Sequence, residues 1–323
     1  MHEQLKSAIQ TVFPASFVHL LKTARADIKS RPPRRAFESI GPSSEYLNAS
    51  MLPMLQKSYP SALPYGYDAG TLLRRGLDRK RQIGRFLRVS GARTLELACH
   101  DGMVSGLLAR DGAKATGIDL GIDHFDHRAL ELGAEAQVMD ATRLTFSAGS
   151  FDCVFSYNAF EHFSNPEAVL AEAIRVTKPG GILFFSFGPL YRASYGLHAM
   201  HSITVPFCQY LWPRAVLDDY IRSHGLGRIE YETLNEWTIR QFRDLFAQFQ
   251  PWAKTIEHRE VPSIHGIELV KKHPSCFRGK VEAFEDLVVA VIEIALRRTD
   301  APASDNWHCA TPTTIEKWRT VHP

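Results

Sequence analysis

The stretch RTLELACHDGMVSG, residues 93–106, decides the fold. It has the pattern of a buried strand, a tight loop and the start of a helix, because an apolar run leads into turn-forming residues and then into a second apolar run. Ligands of doubly wound sheets bind beyond the carboxyl ends of the strands, so this loop is the first place to look for a site. Ala98 and His100 occupy two positions where such loops usually hold glycine, whereas Gly102 is retained.

Strand-like and helical segments alternate on both sides of this loop. Further strands are predicted for KATGIDL, EAQVMDA, FDCVFSYNAF, ILFFSF and AKTIEHREV, with helical patterns between most of them. The apolar, β-branched run VVAVIEIALRR, residues 288–298, is predicted as a closing strand, with a helix as the alternative. Such alternation indicates βαβ units. The sequence therefore predicts an α/β fold with a doubly wound, mostly parallel seven-stranded sheet.

Three regions lie outside the regular alternation. Residues 1–70 predict an N-terminal appendage, helical at first and then irregular with one short helix. The alternation occupies residues 71–298 but stops at residues 188–236, a segment rich in aromatic residues, His and Pro. A long insertion within a regular fold is usually functional, so we expect a lid over a substrate site. Residues 299–323 predict a C-terminal tail.

Composition excludes several classes of protein. The formal charge of +3 over 323 residues does not indicate a nucleic-acid partner, and the basic runs at 31–35 and 74–85 are interpreted as solvated helix surface. Five cysteines without a CxxC pair suit a reducing, cytoplasmic location. No apolar run approaches about 20 residues, and the first residues lack a signal-peptide pattern, so stable membrane insertion is not expected.

Three acidic residues end three successive predicted strands: Glu96, Asp119 and Asp140. A dinucleotide loop would place a glycine where this chain has Met103, which argues against a nicotinamide or flavin dinucleotide. A carboxylate at position 96 suits a ligand that carries positive charge rather than a pyrophosphate. S-adenosylmethionine carries an ammonium and a sulfonium and no phosphate, so the sequence predicts this cofactor.

Residues 93–187 resemble class I S-adenosylmethionine-dependent methyltransferases. The resemblance is carried by the acids above and by FDCVFSYNAFEHFSNPEAVLAEAIRVTKPGGILFFSF, residues 151–187. It implies a Rossmann-like methyltransferase fold. It also implies three groups of cofactor contacts. They are Glu96, Ala98, His100 and Gly102 at the methionine end, Asp119, Leu120, Asp140 and Ala141 at the ribose and adenine, and Asn158 near the sulfonium.

Ala98 and His100, which replace two of the usual glycines, must adopt the backbone angles that the glycines would have. Ala98 adds only a methyl group, whereas His100 needs a backbone angle that most side chains avoid but histidine tolerates. We expect a loop that still binds the cofactor, with the imidazole of His100 turned away from it or capping it. The alternative is a degenerate loop in a non-catalytic protein that retains the fold.

Three histidines are the catalytic candidates. His162 follows the fourth strand, and its alternative role is purely structural. His198 and His201 lie in the 188–236 segment, and their spacing places them on one face if that stretch is helical. A metal site formed by His198, His201 and Cys208 is conceivable, but nothing in the spacing defines its geometry, so no metal is predicted. The aromatic residues of the segment form either a substrate wall or the segment's own core.

The predicted function is methyl transfer from S-adenosylmethionine to a small-molecule or glycan acceptor, most simply an oxygen of a sugar or secondary metabolite in a biosynthetic pathway. The second product would be S-adenosylhomocysteine. One alternative is a non-catalytic binding protein. Another is a membrane-associated enzyme that acts on a lipid or lipid-linked glycan through a basic N-terminal surface. The acceptor itself, and whether the chain forms a homodimer, stay open.

Overall fold

The computed structural model describes residues 15–60, 66 and 68–301, with side chains from residue 19 onward. The first fourteen residues of the predicted N-terminal appendage and most of the predicted C-terminal tail lie outside this part of the chain. Among the described residues, no helix combines the length and apolar character that a bilayer span requires.

A single seven-stranded sheet organises the fold, in the order β3-β2-β1-β4-β5-β7-β6. Strands β1 to β5 are parallel, whereas β7 runs antiparallel between β5 and β6. The predicted mostly parallel, doubly wound sheet is confirmed. The strands are β1 (Arg93–Leu97), β2 (Lys114–Asp119), β3 (Glu135–Val138), β4 (Phe151–Tyr157), β5 (Thr177–Phe187), β6 (Ala253–Pro262) and β7 (Val289–Arg298).

Helices cover the sheet and build the regions beside it. The α-helices are α1 (Ala15–Glu38), α2 (Met51–Ser58), α3 (Ala69–Ile83), α4 (Met103–Arg110), α5 (His127–Glu131), α6 (Pro166–Val176), α7 (Cys208–Leu211), α8 (Arg214–Ser223), α9 (Ile239–Gln248), α10 (Glu268–Lys272) and α11 (Ser275–Arg278). Two 3₁₀ turns occupy Tyr231–Thr233 and Phe284–Leu287. The chain between β6 and β7 therefore folds into short helical pieces rather than one continuous helix.

The strand prediction for residues 288–298 is confirmed, and the helical alternative is wrong. Strand β7 pairs with both β5 and β6, so the polar groups of its backbone are satisfied on both edges. Alternate side chains, among them Ile292, Ile294 and Leu296, are fully buried against the helices. The β-branched composition suits this pleated, two-sided burial.

Helix α1 differs from the sequence prediction, because it continues through Pro32 and Pro33 to Glu38. Proline lacks the N–H that an interior helix position donates, which is why the sequence predicted irregular structure there. Packing at the end of the helix offsets this loss. Phe37 is buried with its ring 5.8 Å from that of Phe284, and the guanidinium of Arg34 lies 4.9 Å from the centre of the same Phe284 ring.

The 188–236 segment has a hydrophobic core of its own, separate from that of the sheet. Phe207, Tyr210 and Trp212 are buried in it together with residues of α1 and α2. The N-terminal region also pairs with the segment through the backbone, since Leu47 N–H donates to the Leu211 carbonyl at 2.9 Å. These three rings are therefore core residues of the segment rather than a wall of the substrate site.

Candidate active site

A cavity of about 1300 Å³ lies at the carboxyl ends of β1, β2 and β4. The strand order reverses between β1 and β4, and doubly wound sheets bind their ligands at this point. Eleven of the twelve residues predicted from the sequence line this cavity. They are Glu96, Ala98, His100, Asp119, Leu120, Asp140, Ala141, Asn158, His162, His198 and His201.

Gly102, the twelfth predicted residue, determines the backbone conformation where the loop after β1 joins α4. It adopts a φ of 62° and precedes the first turn of α4. A Cβ atom at this position would lie 2.1 Å from the ring of Phe125, so glycine is required by both backbone and packing.

The loop after β1 has the backbone conformation of a glycine-rich loop, although only one of the three usual glycines, Gly102, is present. Ala98 and His100 have φ values of 50° and 46°, in the left-handed region. Most side chains avoid this region at a cost of about 1–2 kcal/mol per residue. The positive φ expected at His100 is confirmed, so the loop keeps its shape despite the two substitutions.

Asp119 ties the end of β2 to this loop. Its Oδ2 atom accepts a hydrogen bond from the His100 N–H at 2.9 Å, and its Oδ1 atom accepts one from the Leu120 N–H at 2.8 Å. A carboxylate offers about four lone-pair directions, so each oxygen retains the capacity to accept from a ribose hydroxyl.

The imidazole of His100 lies at the rim of the cavity. Its side chain is 48% exposed, and its ring stacks on that of His124 with centroids 5.1 Å apart. The ring therefore borders the cavity from the solvent side. A capping position of this imidazole over the cofactor stays a prediction.

Glu96 is buried at the end of β1 and holds the first turn of α4. Its Oε2 atom accepts hydrogen bonds from the Ser105 N–H at 3.1 Å and the Ser105 hydroxyl at 2.7 Å. Burial raises the pKa of Glu96 to about 8, although the hydrogen bonds from Ser105 oppose this rise. A ligand ammonium nearby would favour the charged carboxylate.

Asp140 lies two residues beyond the end of β3, in an exposed turn. Its Oδ1 atom accepts from the N–H and from the hydroxyl of Thr142, both at 2.8 Å. Ala141 is buried beside it. The turn thus fixes one carboxylate oxygen of Asp140, and both residues line the cavity. Their contact with the adenine stays a prediction.

A second group of residues lies where β4 ends. Asn158 has a φ of 51°, and its N–H donates to the Ser186 carbonyl at 2.8 Å, so it turns the chain sharply out of the strand. Glu161 and His162 follow in this turn. Across the cavity, His198 brings its ring to within 4.9 Å of the His162 ring, measured between centroids.

Burial keeps both of these imidazoles neutral at pH 7. It lowers the pKa of His162 below its usual value and that of His198 to about 4. His162 shares a hydrogen bond of 2.9 Å between Nδ1 and the Thr233 carbonyl, and His198 one of 2.9 Å between Nε2 and the Pro189 carbonyl. Because carbonyls only accept, these nitrogens carry the protons and the other ring nitrogens keep their lone pairs.

His201 does not join this group. Residues 196–202 form turns and irregular structure rather than a helix, so the condition under which His198 and His201 would share a helix face is not met. His201 lines the cavity but is exposed to solvent. Cys208 is buried in the core of the 188–236 segment, so the metal site considered from the sequence is not assembled.

Glu161 is the functional candidate that the sequence analysis missed. Its side chain is almost fully buried, and its Oε1 atom accepts from the Gly188 N–H at 2.8 Å. Burial raises its pKa to about 7. The signal was present in the sequence, since this acid directly precedes His162 in the EH pair, but its burial depends on residue 188 folding back over it.

Two arginines of α3 also reach the cavity. Arg75 forms an ion pair of 2.8 Å with Asp101, and the guanidinium of Arg79 lies 4.7 Å from the centre of the Tyr157 ring. The basic run 74–85 was interpreted as solvated surface. The helical period instead places positions 75 and 79 on the face that borders the site.

These residues fit S-adenosylmethionine by their chemistry. The acids at the ends of β1 and β2 suit an ammonium and ribose hydroxyls, and the arginines of α3 suit a carboxylate. Positions 98, 100 and 102 all have left-handed backbone angles, the conformation for which such loops use glycine.

The chain is similar in sequence to known methyltransferases. The family model described as "Methyltransferase domain" matches residues 95–185. The ubiquinone biosynthesis O-methyltransferase of Nitrosococcus oceani is 32% identical over 163 residues, which cover 46% of this chain and 69% of that protein. The protein of the same name from Cronobacter sakazakii is 33% identical over 120 residues, 35% of this chain and 48% of that protein.

Solved structures include a SAM-dependent methyltransferase from Methanosarcina mazei, with 18% identity and a TM-score of 0.44 over 68% of this chain and 97% of that one. The curated relatives carry the assignment, because one of them exceeds 30% identity while the chain covers more than two thirds of its length. The chain therefore belongs to the class I S-adenosylmethionine-dependent methyltransferases, and its cofactor is S-adenosylmethionine.

Proposed function

We propose that this methyltransferase transfers the methyl group to a hydroxyl oxygen of a small molecule. The observation that carries the proposal is the group of Glu161, His162 and His198, which meet in the cavity beyond the cofactor loop. Two neutral imidazoles and a buried carboxylate are suited to take up or stabilise the charge released when a hydroxyl loses its proton. The names of the relatives, which specify O-methylation in ubiquinone biosynthesis, also support an oxygen acceptor.

The cofactor-binding half of the proposal assigns roles to the predicted residues. Glu96 and the loop backbone at Ala98 and His100 would hold the methionine end, and Asp119 the ribose. Leu120, Asp140 and Ala141 would border the adenine. When bound, S-adenosylmethionine supplies a methyl group on a positively charged sulfur. The work of the protein is to hold the acceptor oxygen in line with that methyl group, which is the main source of acceleration in such displacements.

The 188–236 segment forms the acceptor side in this proposal. Its residues Pro189, His198 and Met200 line the cavity, while its aromatic core keeps the segment folded against α1 and α2. We therefore propose the predicted division, in which residues 71–298 form the methyltransferase domain and residues 188–236 its substrate lid. A phenolic or sugar hydroxyl fits this role, and nothing in the segment favours a glycan over a smaller acceptor.

A cytoplasmic location is also part of the proposal. The four cysteines in the described part of the chain are buried and unpaired. Free thiols of this kind suit a reducing compartment.

Product analysis with the full-length chain tests this proposal. The protein is incubated with S-adenosylmethionine carrying a deuterated methyl group and with a panel of phenols, sugars and amines. We expect S-adenosylhomocysteine to accumulate and the label to appear on oxygen in a hydroxylated acceptor. Label on nitrogen or carbon across the panel would overturn the oxygen assignment, and failure to bind S-adenosylmethionine would overturn the cofactor site.

A further inference from the structure

We infer that Glu161, His162 and His198 form a binding site for one divalent metal ion of the zinc type, at which the acceptor hydroxyl is held. This inference rests on the proposed function for the role of the metal, but the existence of the site is independent of it. The three side chains come from the turn after β4 and from the 188–236 segment. They meet on the acceptor side of the cavity.

The spacing of the ligand atoms suits one ion. One ligand atom from each of the three residues lies within 4.8 Å of the other two. Zinc–ligand bonds of about 2.0–2.1 Å place tetrahedral ligands about 3.4 Å apart, so small side-chain rotations suffice to close the site. Two histidines and one glutamate are also a ligand set that catalytic zinc sites use.

The tautomers of both imidazoles are already those of metal ligands. The Thr233 carbonyl takes the Nδ1 proton of His162, and the Pro189 carbonyl takes the Nε2 proton of His198. The lone pairs of His162 Nε2 and His198 Nδ1 therefore remain for a ligand. Metal-binding histidines almost always donate their second nitrogen to such a partner, which orients the ring.

Glu161 supplies the negative charge. Its Oε1 atom accepts from the Gly188 N–H, but its Oε2 atom is buried and has no hydrogen-bond partner among the described residues. A buried carboxylate oxygen without a partner is costly. A metal ion would satisfy this oxygen and favour the ionised carboxyl.

The turn that carries two of the ligands is held firmly. The backbone N–H of Asn235 donates to the Glu161 carbonyl at 3.0 Å. Its side-chain amide donates to the carbonyls of Phe160 at 2.6 Å and Phe163 at 3.0 Å. Asn235 thus clamps the backbone on both sides of Glu161 and His162. Such support is what a preorganised metal site requires.

Three protein ligands leave a coordination position open for the acceptor. A hydroxyl bound there loses its proton more readily, because the ion stabilises the resulting negative charge. In the transfer, the proton of the hydroxyl passes to solvent, and an oxygen lone pair forms the new C–O bond. The electrons of the broken C–S bond stay on sulfur, which becomes a neutral thioether.

Metal binding by the full-length chain tests the inference without cofactor or acceptor. The protein is first treated with a chelator and then titrated with ZnCl₂ in a calorimeter and with CoCl₂ in a visible spectrometer. We expect one ion per chain and the absorption of low-symmetry Co²⁺. Glu161→Gln and His198→Asn each lower the affinity by about tenfold or more. His127→Ala, which removes an exposed histidine on α5, leaves it unchanged.

Thermal unfolding and S-adenosylmethionine binding are measured on the same variants, so that loss of the fold is distinguished from loss of a ligand. The inference is overturned if the wild-type chain binds no Zn²⁺, or if folded Glu161→Gln and His198→Asn chains bind it as tightly as His127→Ala does. Intact metal binding combined with methylation of nitrogen alone would contradict the proposed function and leave the metal site standing.

Discussion

The backbone N–H of His100 donates to the Oδ2 atom of Asp119 at 2.9 Å, and this bond joins the loop after β1 to the end of β2. The contact uses the main chain of residue 100, not its side chain. It holds the loop in a left-handed conformation at a position where a glycine would adopt that conformation without strain. A side chain at position 100 is therefore tolerated as long as its backbone accepts positive φ.

The effect of a substitution at position 100 on stability and cofactor affinity should depend on whether the new residue accepts a positive φ. It should not depend on the chemistry of the new side chain. His100→Asn should retain stability and cofactor affinity, because asparagine accepts positive φ. His100→Val should lower the free energy of unfolding by about 1–2 kcal/mol or more, because a β-branched residue is strained there. Urea unfolding and S-adenosylmethionine titration measure both effects. His124→Ala, which removes only the stacked ring, is the control, and equal effects of Asn and Val would contradict the explanation.

Loss of the Asp119 carboxylate should weaken cofactor binding. Asp119→Ala removes the acceptor of the His100 and Leu120 amides as well as the proposed acceptor of the ribose hydroxyls. Hydrogen bonds to charged groups contribute about 1.5–3 kcal/mol, so we expect the dissociation constant of S-adenosylmethionine to rise by about tenfold to a hundredfold. Calorimetry measures it. Asp123→Ala, an exposed acid in the next loop, should bind as the wild type does, and an equal loss there would indicate a general charge effect.

The regular part of the fold was predictable because local patterns determine it. The apolar runs of β1, β4 and β5 and the helical period of α6 are visible in the sequence, and parallel strands then bring their carboxyl ends to one edge. Asp119 and Asp140 could be placed by the same argument, which needs only that each acid follows a strand. Helix α1 was not predictable, since proline chemistry argues against it and only the packing of Phe37 explains it.

The acceptor side was less predictable because it depends on contacts distant in the sequence. The partner of Glu161 is Gly188, and that of His162 is Thr233, so neither environment can be derived from the EH pair alone. The same holds for the aromatic residues of the 188–236 segment. Trp212 is buried against α1 and α2 rather than at the cavity, and this depends on how the N-terminal region docks.

Glu96 should make stability depend on pH. Below about pH 4.5 the carboxyl is protonated in both states. Between 4.5 and about 8 the unfolded chain loses this proton while the folded chain keeps it, so the free energy of unfolding falls as pH rises. For a single proton, the free energy of unfolding can fall by at most about 1.4 kcal/mol per pH unit. Above about pH 8 the Glu96 carboxyl is ionised in both the folded and the unfolded chain, so it no longer makes the free energy of unfolding depend on pH.

Glu96→Gln is the matched variant for this effect, because its amide oxygen can still accept from Ser105 while the side chain does not titrate. Relative to the wild type, the variant should gain stability steadily from pH 5 to pH 8. Urea unfolding of both chains at each pH gives the difference, in which the titration of all other groups cancels. A difference that is constant over this range would show that Glu96 is ionised in the folded chain throughout.

Gly102→Ala should destabilise the protein more than Gly225→Ala, although both glycines have a φ of 62°. A Cβ atom at position 225 meets nothing within 4 Å, so that variant carries only the conformational cost of about 1–2 kcal/mol. At position 102 the Cβ meets the Phe125 ring, which adds about 1–3 kcal/mol of overpacking. Because the ring must move at the mouth of the cofactor loop, S-adenosylmethionine affinity should fall in Gly102→Ala alone. Equal unfolding free energies in the two variants would mean that Phe125 yields without cost and does not support the loop.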